Sequence, residues 1–192
     1  MKESRNSHSK LKALLKNIDR SGPIKIGLSR RTVEFQKDEM VLYKYESTGA
    51  TKNNRPILLV YSLVNRPEIA DLSSERSLIK ELCDFGFPVY LIDWGDPGDN
   101  DAEVELSTYI IDYLGSAVDY IRGVSPKEAI DVIGLCQGGT FAVCYASLFP
   151  EKISSLITTA TPIDFHSEKD RLSALIRHVD LKVFEKFPKT ID

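Results

Sequence analysis

Short, continuous apolar runs alternate with amphipathic segments along this chain, and this alternation constrains the fold more than any other feature. The segments RSLIKELCDFG, STYIIDYLGSAVDYIRG and GTFAVCYASLFP carry apolar residues at helical spacing. The runs around them read as strands buried on both faces: ILLVYSL, FPVYLID, EAIDVIGL and ISSLITTATPI. Strands separated by helices predict a parallel sheet that is covered on both faces. The expected class is doubly wound α/β, with EMVLYKYE as a further strand.

The composition is that of one ordinary globular domain. The chain has 192 residues, of which 42% are hydrophobic, and a formal net charge of -3 with acids and bases mixed along its length. This balance argues against a surface that coats nucleic acid and against a polybasic membrane anchor. The polar opening does not resemble a secretory signal, and no apolar run reaches the roughly 18 residues that a membrane span needs. We therefore expect a soluble, cytoplasmic protein.

The three cysteines are odd in number and show no CxxC spacing, which fits neither a disulfide framework nor a zinc site. We expect three reduced thiols and no metal. Cys83 lies on the apolar face of one predicted helix and Cys144 lies within another, so both are predicted to be core residues. Cys136 needs a different explanation.

Cys136 lies in the stretch VIGLCQGGT, between a predicted buried strand and a predicted helix. This is the context in which G-x-S-x-G forms a nucleophile elbow, here with cysteine in the serine position. The sharp turn leaves no room for side chains at Gly134 and Gly138, and Gly139 lets the helix pack close to the sheet. The amides and the positive dipole end of a helix N-terminus favour a thiolate. We interpret Cys136 as a nucleophile; the alternative is a small buried residue.

An acyl-transfer site also needs hydrogen-bond donors for the oxyanion. The backbone N–H of Gln137, directly after the nucleophile, is one candidate. The second donor usually comes from the loop after an earlier strand, which here is SLVNRP. The amides of Val64 and Asn65 are the candidates, and the sequence leaves both open.

Other polar residues give weaker signals. Asp93 and Trp94 follow a strand and are candidates for the rim of a pocket, although a carboxylate that caps a loop is the favoured interpretation of Asp93. His166 and His178 follow no further predicted strand, so we interpret them as surface or lid residues. Asp164 is a conceivable acid at a strand end.

Five stretches in order resemble one enzyme family: VLYKY, LLVYSLVNRPEIADL, VYLIDWG, VIGLCQGGTFAVCYASLFPEKISSLITTATPIDFH and LSALIRHVDL. Together they are similar to the catalytic subunit of class III or class IV poly(3-hydroxyalkanoate) synthases, members of the α/β-hydrolase superfamily. The resemblance implies an acyltransferase that polymerises (R)-3-hydroxyacyl-CoA into polyhydroxyalkanoate, releases CoA and carries the growing chain on Cys136. The CoA thioester is the substrate, and neither a cofactor nor a metal is implied.

The resemblance also implies partners and a place in the cell. These are a second synthase subunit, further copies of the chain and the surface of polymer granules in the cytoplasm. The family's catalytic aspartate and histidine lie on segments C-terminal to the matched region, so we expect a fragment whose own activity is low. The run DWGDPGDNDAEVEL is more acidic than the family pattern, which usually continues DWG with an aromatic residue and proline.

The expected organisation has a mobile segment at 1–30, the N-terminal part of an α/β-hydrolase core at 31–163 and the start of a cap at 164–192. The sheet is expected to be mostly parallel, with helices on both faces, and to lack its last strands. Two other functions stay open. One is a cysteine hydrolase of the dienelactone type, and the other is a non-catalytic truncated synthase that binds a partner subunit or the polymer.

Overall fold

The structure is a computed structural model that describes residues 26–27, 29–49, 55–96, 98 and 103–164. Eight strands fall in these ranges: β1 Arg31–Lys37, β2 Met40–Tyr45, β3 Ile57–Val60, β4 Asp71–Ser73, β5 Arg76–Ser77, β6 Val89–Asp93, β7 Ile130–Leu135 and β8 Ile153–Thr159. The helices are α1 Leu78–Asp84, α2 Leu114–Val124 and α3 Gln137–Leu148, with 3-10 turns at Pro67–Ala70 and Pro150–Lys152. A π-helix, Thr108–Tyr113, leads directly into α2.

Six of the strands form one sheet in the order β1-β2-β6-β3-β7-β8. The pairs β3 with β6, β3 with β7 and β7 with β8 are parallel. β1 and β2 form an antiparallel pair, and β2 also pairs antiparallel with β6. The sheet is therefore mostly parallel, as the sequence predicts. The short strands β4 and β5 form a separate ribbon.

Helices cover both faces of this sheet, which confirms the predicted architecture. On one face, α2 and α3 pack onto the strands through a cluster that includes Leu58, Ile121 and Phe141. On the other face, α1 packs through a smaller cluster that includes Leu59 and Ile79. β3 is buried along its whole length because its alternate side chains enter the two clusters. The carboxyl ends of β3, β6 and β7 meet at one edge, where the candidate site lies.

Several elements differ from the sequence prediction at their ends. β3 ends at Val60, so the apolar residues that follow it belong to a loop. α3 begins at Gln137 and not at Gly139. β8 ends at Thr159, so Asp164 lies in the segment after the strand and not at its end. α1 ends as predicted, because Gly86 adopts the left-handed conformation, with φ of 86°, that stops a helix.

The expected N-terminal and cap segments lie mostly outside the described residues. The first strand begins at Arg31, whereas most of 1–30 and all of 165–192 lie outside the described ranges. Among the residues that are described, none of the helices has the length and apolar character needed to cross a bilayer.

Candidate active site

Cys136 lies in the turn between β7 and α3, where it has φ of 53° and ψ of -129°. A non-glycine residue rarely adopts this backbone conformation, which costs about 1–3 kcal/mol. Two hydrogen bonds hold the turn. The Cys136 amide donates to the carbonyl of Thr159 at 2.9 Å, and the Gly139 amide donates to the carbonyl of Cys136 at 2.9 Å. The residue is exposed, so its thiol is accessible.

Close backbone approach explains the three glycines around Cys136. A Cβ on Gly134 would lie 2.9 Å from the amide nitrogen of Gly139, and one on Gly138 would lie 2.6 Å from the carbonyl oxygen of Tyr61. A Cβ on Gly139 would lie 2.9 Å from the Cβ of Thr161. Real Cβ atoms essentially never come closer than about 3 Å, so each position excludes a side chain. The elbow is therefore pressed against β3, against α3 and against the segment after β8.

The loop after β3 is bonded to the first residue of α3. The Leu63 amide donates to Oε1 of Gln137 at 3.2 Å, and the Ser62 hydroxyl donates to the same oxygen at 3.3 Å. The Val64 amide in turn donates to Oγ of Ser62 at 3.1 Å. Of the two candidates for the second oxyanion donor, Val64 thus has its N–H engaged by Ser62. Sequence analysis missed Ser62 and the Gln137 side chain.

Tyr61 is a second residue that the sequence did not single out. Its side chain is 6% exposed, and burial is the main cause that raises the pKa of its hydroxyl. The neighbouring Cys136 raises that pKa further, while a hydrogen bond with the Asn65 side chain lowers it. Tyr61 therefore lies near the thiol and is itself bonded to the Asn65 side chain. In the sequence, Tyr61 is indistinguishable from the apolar residues of its run.

Trp94 connects the end of β6 to this site. Its Nε1 donates to the carbonyl of Tyr61 at 2.8 Å, and its ring contacts Phe141 of α3 edge to face, with 6.0 Å between the ring centroids. The Asp93 carboxylate instead accepts the amide of Gly95 at 3.1 Å. Asp93 thus has the loop-capping role that the sequence analysis favoured for it.

The two other thiols differ from each other. Cys83 is 4% exposed, and burial raises its pKa to about 11, so its prediction as a core residue is confirmed. Cys144 is exposed, so the same prediction for Cys144 is wrong. α3 is apolar on most of its surface, and its spacing does not show which apolar residues face outward.

Of the candidate general bases and acids, Asp164 alone lies within the described residues. Asp164 is exposed in the segment after β8, and His166 and His178 lie outside the described residues. No group of three His, Cys, Asp or Glu side chains within the described ranges is arranged to hold a metal ion. A cavity of about 320 Å³ is lined by residues such as Asp71, Lys80 and Cys83, and none of its lining residues belongs to the elbow.

Comparison with known proteins identifies relatives of the chain. A model of the alpha/beta hydrolase fold matches residues 55–191. The chain is 40% identical over 174 residues to the poly(3-hydroxyalkanoate) polymerase subunit PhaC of Thiocystis violacea, covering 90% of this chain and 49% of that protein. For PhaC of Allochromatium vinosum the identity is 37% over 169 residues, covering 87% of this chain and 48% of that protein. These matches confirm the resemblance read from the sequence. The chain spans about half the length of these relatives.

Solved structures share the fold at low sequence identity. The Francisella virulence factor BioJ is 16% identical, with a TM-score of 0.57, over 84% of this chain and 53% of that chain. An epoxide hydrolase from Solanum tuberosum is 17% identical, with a TM-score of 0.52, over 78% of this chain and 45% of that chain. Both likenesses concern the fold alone.

Proposed function

The chain belongs to the alpha/beta hydrolase family, and we propose that it is the nucleophile-carrying part of an acyltransferase that polymerises (R)-3-hydroxyacyl-CoA. One observation carries the proposal: the exposed thiol of Cys136 lies on a strained turn between β7 and α3, as a nucleophile elbow requires. The relatives named poly(3-hydroxyalkanoate) polymerase support the choice of substrate class.

The proposed reaction has two steps at one sulfur atom. The Cys136 thiolate attacks the thioester carbonyl, the backbone N–H of Gln137 and a loop amide stabilise the oxyanion, and CoA leaves as its thiol after taking up a proton. The 3-hydroxyl of the next unit then attacks the acyl-cysteine, an oxoester forms, and the thiolate is released. Thioester exchange keeps the acyl group activated, and the more stable oxoester drives elongation forward.

The proton of the incoming hydroxyl requires a base. The family resemblance assigns that task to a histidine assisted by an aspartate, C-terminal to the matched region. We propose that a second subunit, further copies of the chain and a granule surface complete the working enzyme, and that it needs neither a cofactor nor a metal.

Acylation by 3-hydroxybutyryl-CoA tests the proposal. We expect the 192-residue chain to release at most one CoA per chain and to carry the acyl group on Cys136, without forming polymer. In triads of this kind the loss of one member costs several orders of magnitude in rate, so the reaction is slow. Intact-mass measurement and a thiol assay for CoA follow the two products.

Two variants control this experiment. Cys136→Ala removes the acylation, whereas Cys144→Ser, which changes the other exposed thiol, retains it. Acylation that persists in Cys136→Ala contradicts the proposal. Release of free 3-hydroxybutyrate over many turnovers identifies a hydrolase instead.

A further inference from the structure

The Gln137 side chain is placed to organise the oxyanion site, in addition to the backbone N–H that the proposed function already uses. We propose that Gln137 is a positioning residue whose carboxamide oxygen fixes the loop after β3 and thereby sets where the second oxyanion donor lies. The inference rests on the proposed function only to the extent that Cys136 attacks an acyl carbonyl.

The hydrogen bonds identify which Gln137 atom faces the loop. The Leu63 amide can only donate, so the side-chain atom 3.2 Å from it is the acceptor Oε1 and not Nε2. The hydroxyl of Ser62 donates to the same oxygen at 3.3 Å. One carboxamide oxygen therefore accepts two hydrogen bonds from consecutive loop residues.

Ser62 connects the Gln137 side chain to the peptide N–H of Val64. Its side chain is 3% exposed, and its Oγ accepts the Val64 amide at 3.1 Å. The Val64 N–H is thus bonded within the loop, whereas the structure gives the Asn65 amide no acceptor among the described residues. Of the two donors that the sequence leaves open, this arrangement favours Asn65.

The loop needs such a constraint because the sheet no longer holds it. β3 ends at Val60, and the side chain of Val64 is 83% exposed. Gln137 directly follows the nucleophile, so its backbone amide lies next to Cys136, and the bonds from Ser62 and Leu63 hold its side chain against the loop. One residue thereby sets both donors relative to the sulfur. Preorganised donors of this kind stabilise an oxyanion without reorganisation during the reaction.

Two reagents distinguish a change in the position of the oxyanion donors from a general change in the reactivity of the Cys136 thiol. p-Nitrophenyl acetate acylates the sulfur through an oxyanion and releases p-nitrophenolate, whereas iodoacetamide alkylates it by displacement of iodide with no oxyanion. The parent protein is the full chain with Cys144→Ser, so that Cys136 is the exposed thiol that reacts. Gln137→Met keeps the length of the side chain and removes both acceptor bonds.

We expect Gln137→Met to lower the acylation rate constant by about 10- to 100-fold, while alkylation stays at the parent rate. Ser62→Ala, which removes one bond to Oε1 and the acceptor of the Val64 amide, gives a smaller selective loss. Gln36→Met is the matched control, because Gln36 is an exposed residue of β1 whose side chain donates to the carbonyl of Asp38, away from the elbow. It leaves both rates unchanged.

The proposal is overturned if Gln137→Met slows acylation and alkylation equally, or if it does not slow acylation. Circular dichroism checks that each variant is folded, and if Gln137→Met is not folded, Ser62→Ala decides by the same criterion. Failure of the polymerase proposal gives a different result: the ester acylates Cys136 in these variants as described, and 3-hydroxybutyryl-CoA does not.

Discussion

At the scale of single residues, the main feature is the contrast among three thiols. Cys136 is exposed on a strained turn, Cys144 is exposed on the side of α3, and Cys83 is buried on the inner face of α1. Exposure and thiolate fraction together control how fast a thiol is alkylated. The three cysteines should therefore react in a defined order.

Alkylation with limiting iodoacetamide at neutral pH should modify Cys136 first, Cys144 second and Cys83 last. Burial raises the pKa of Cys83 to about 11, so its thiolate becomes abundant only as the pH approaches that value. A pKa raised in the folded state also means that folding favours the protonated thiol, so stability falls as the pH rises toward 11. Peptide mapping against pH measures the order.

Native labelling of Cys83 before Cys136 at neutral pH contradicts this order. Cys83→Ala is the control for the stability effect, because it removes the titrating thiol. That variant should show a smaller decline in stability at alkaline pH than the parent, because it lacks the part that the Cys83 thiol causes.

The residues that sequence analysis found and missed have physical explanations. Gly134, Gly138 and Gly139 were recognisable because the elbow is a local turn whose steric demands fall at fixed spacings. The role of the Gln137 side chain was not recognisable, because it depends on where a loop about seventy residues earlier in the chain meets α3.

At the scale of elements, the elbow depends on how closely α3 approaches β3. The Cβ of an alanine at position 138 would lie 2.6 Å from the carbonyl oxygen of Tyr61 and still closer to that of Val60. The Val60 carbonyl belongs to a strand that is held on both sides by its neighbours, and the Tyr61 carbonyl accepts a hydrogen bond from Trp94, so neither can move away without cost.

Gly138→Ala should therefore lower the free energy of unfolding by about 2 kcal/mol or more. Gly123→Ala is the matched control, because it lies in α2 and a Cβ there meets nothing within 4 Å. It should stabilise the protein by about 0.5–1 kcal/mol, since alanine is the better helix former. Urea unfolding of both variants measures the difference, and equal effects would contradict the steric account.

Elements were predictable where their pattern is local. The buried strands β3, β6 and β7 each follow from a nearly continuous apolar run. β8 forms where the sequence predicts a strand, but the prediction that it is buried on both faces is wrong, because its sequence ISSLITT is largely polar and most of its residues are exposed. β1 was not predicted as a strand because its sequence RTVEFQK is mostly polar and is held mainly by pairing with β2. The π-helix before α2 was not predicted either, because the sequence analysis treats the whole segment STYIIDYLGSAVDYIRG as one regular helix.

At the scale of the whole molecule, β3 is the centre of the structure. It pairs with β6 on one side and β7 on the other, and its side chains enter both hydrophobic clusters. β1 pairs with β2 alone among the described strands, and much of it is exposed. Local opening should therefore begin far from β3.

Hydrogen exchange should show this gradient. We expect the backbone amides of Leu58 and Leu59 to exchange at least about a hundredfold more slowly than those of Thr32 and Val33, because only global unfolding exposes β3. Exchange read by NMR or by mass spectrometry of peptides measures it. Equal protection of the two strands would show that the sheet opens as one unit.

The bond from the Cys136 amide to Thr159 also bears on the order in which the protein acquires its reactivity during synthesis. The ribosome makes β8 and the segment after it later than the elbow, yet Thr159 holds the turn, Thr161 packs on Gly139, and the Thr140 hydroxyl donates to the carbonyl of Pro162 at 2.7 Å. A nascent chain that stops short of β8 lacks the acceptor that holds the Cys136 turn. The strained backbone of Cys136 is therefore expected to form only after the residues from β8 to Pro162 have been made.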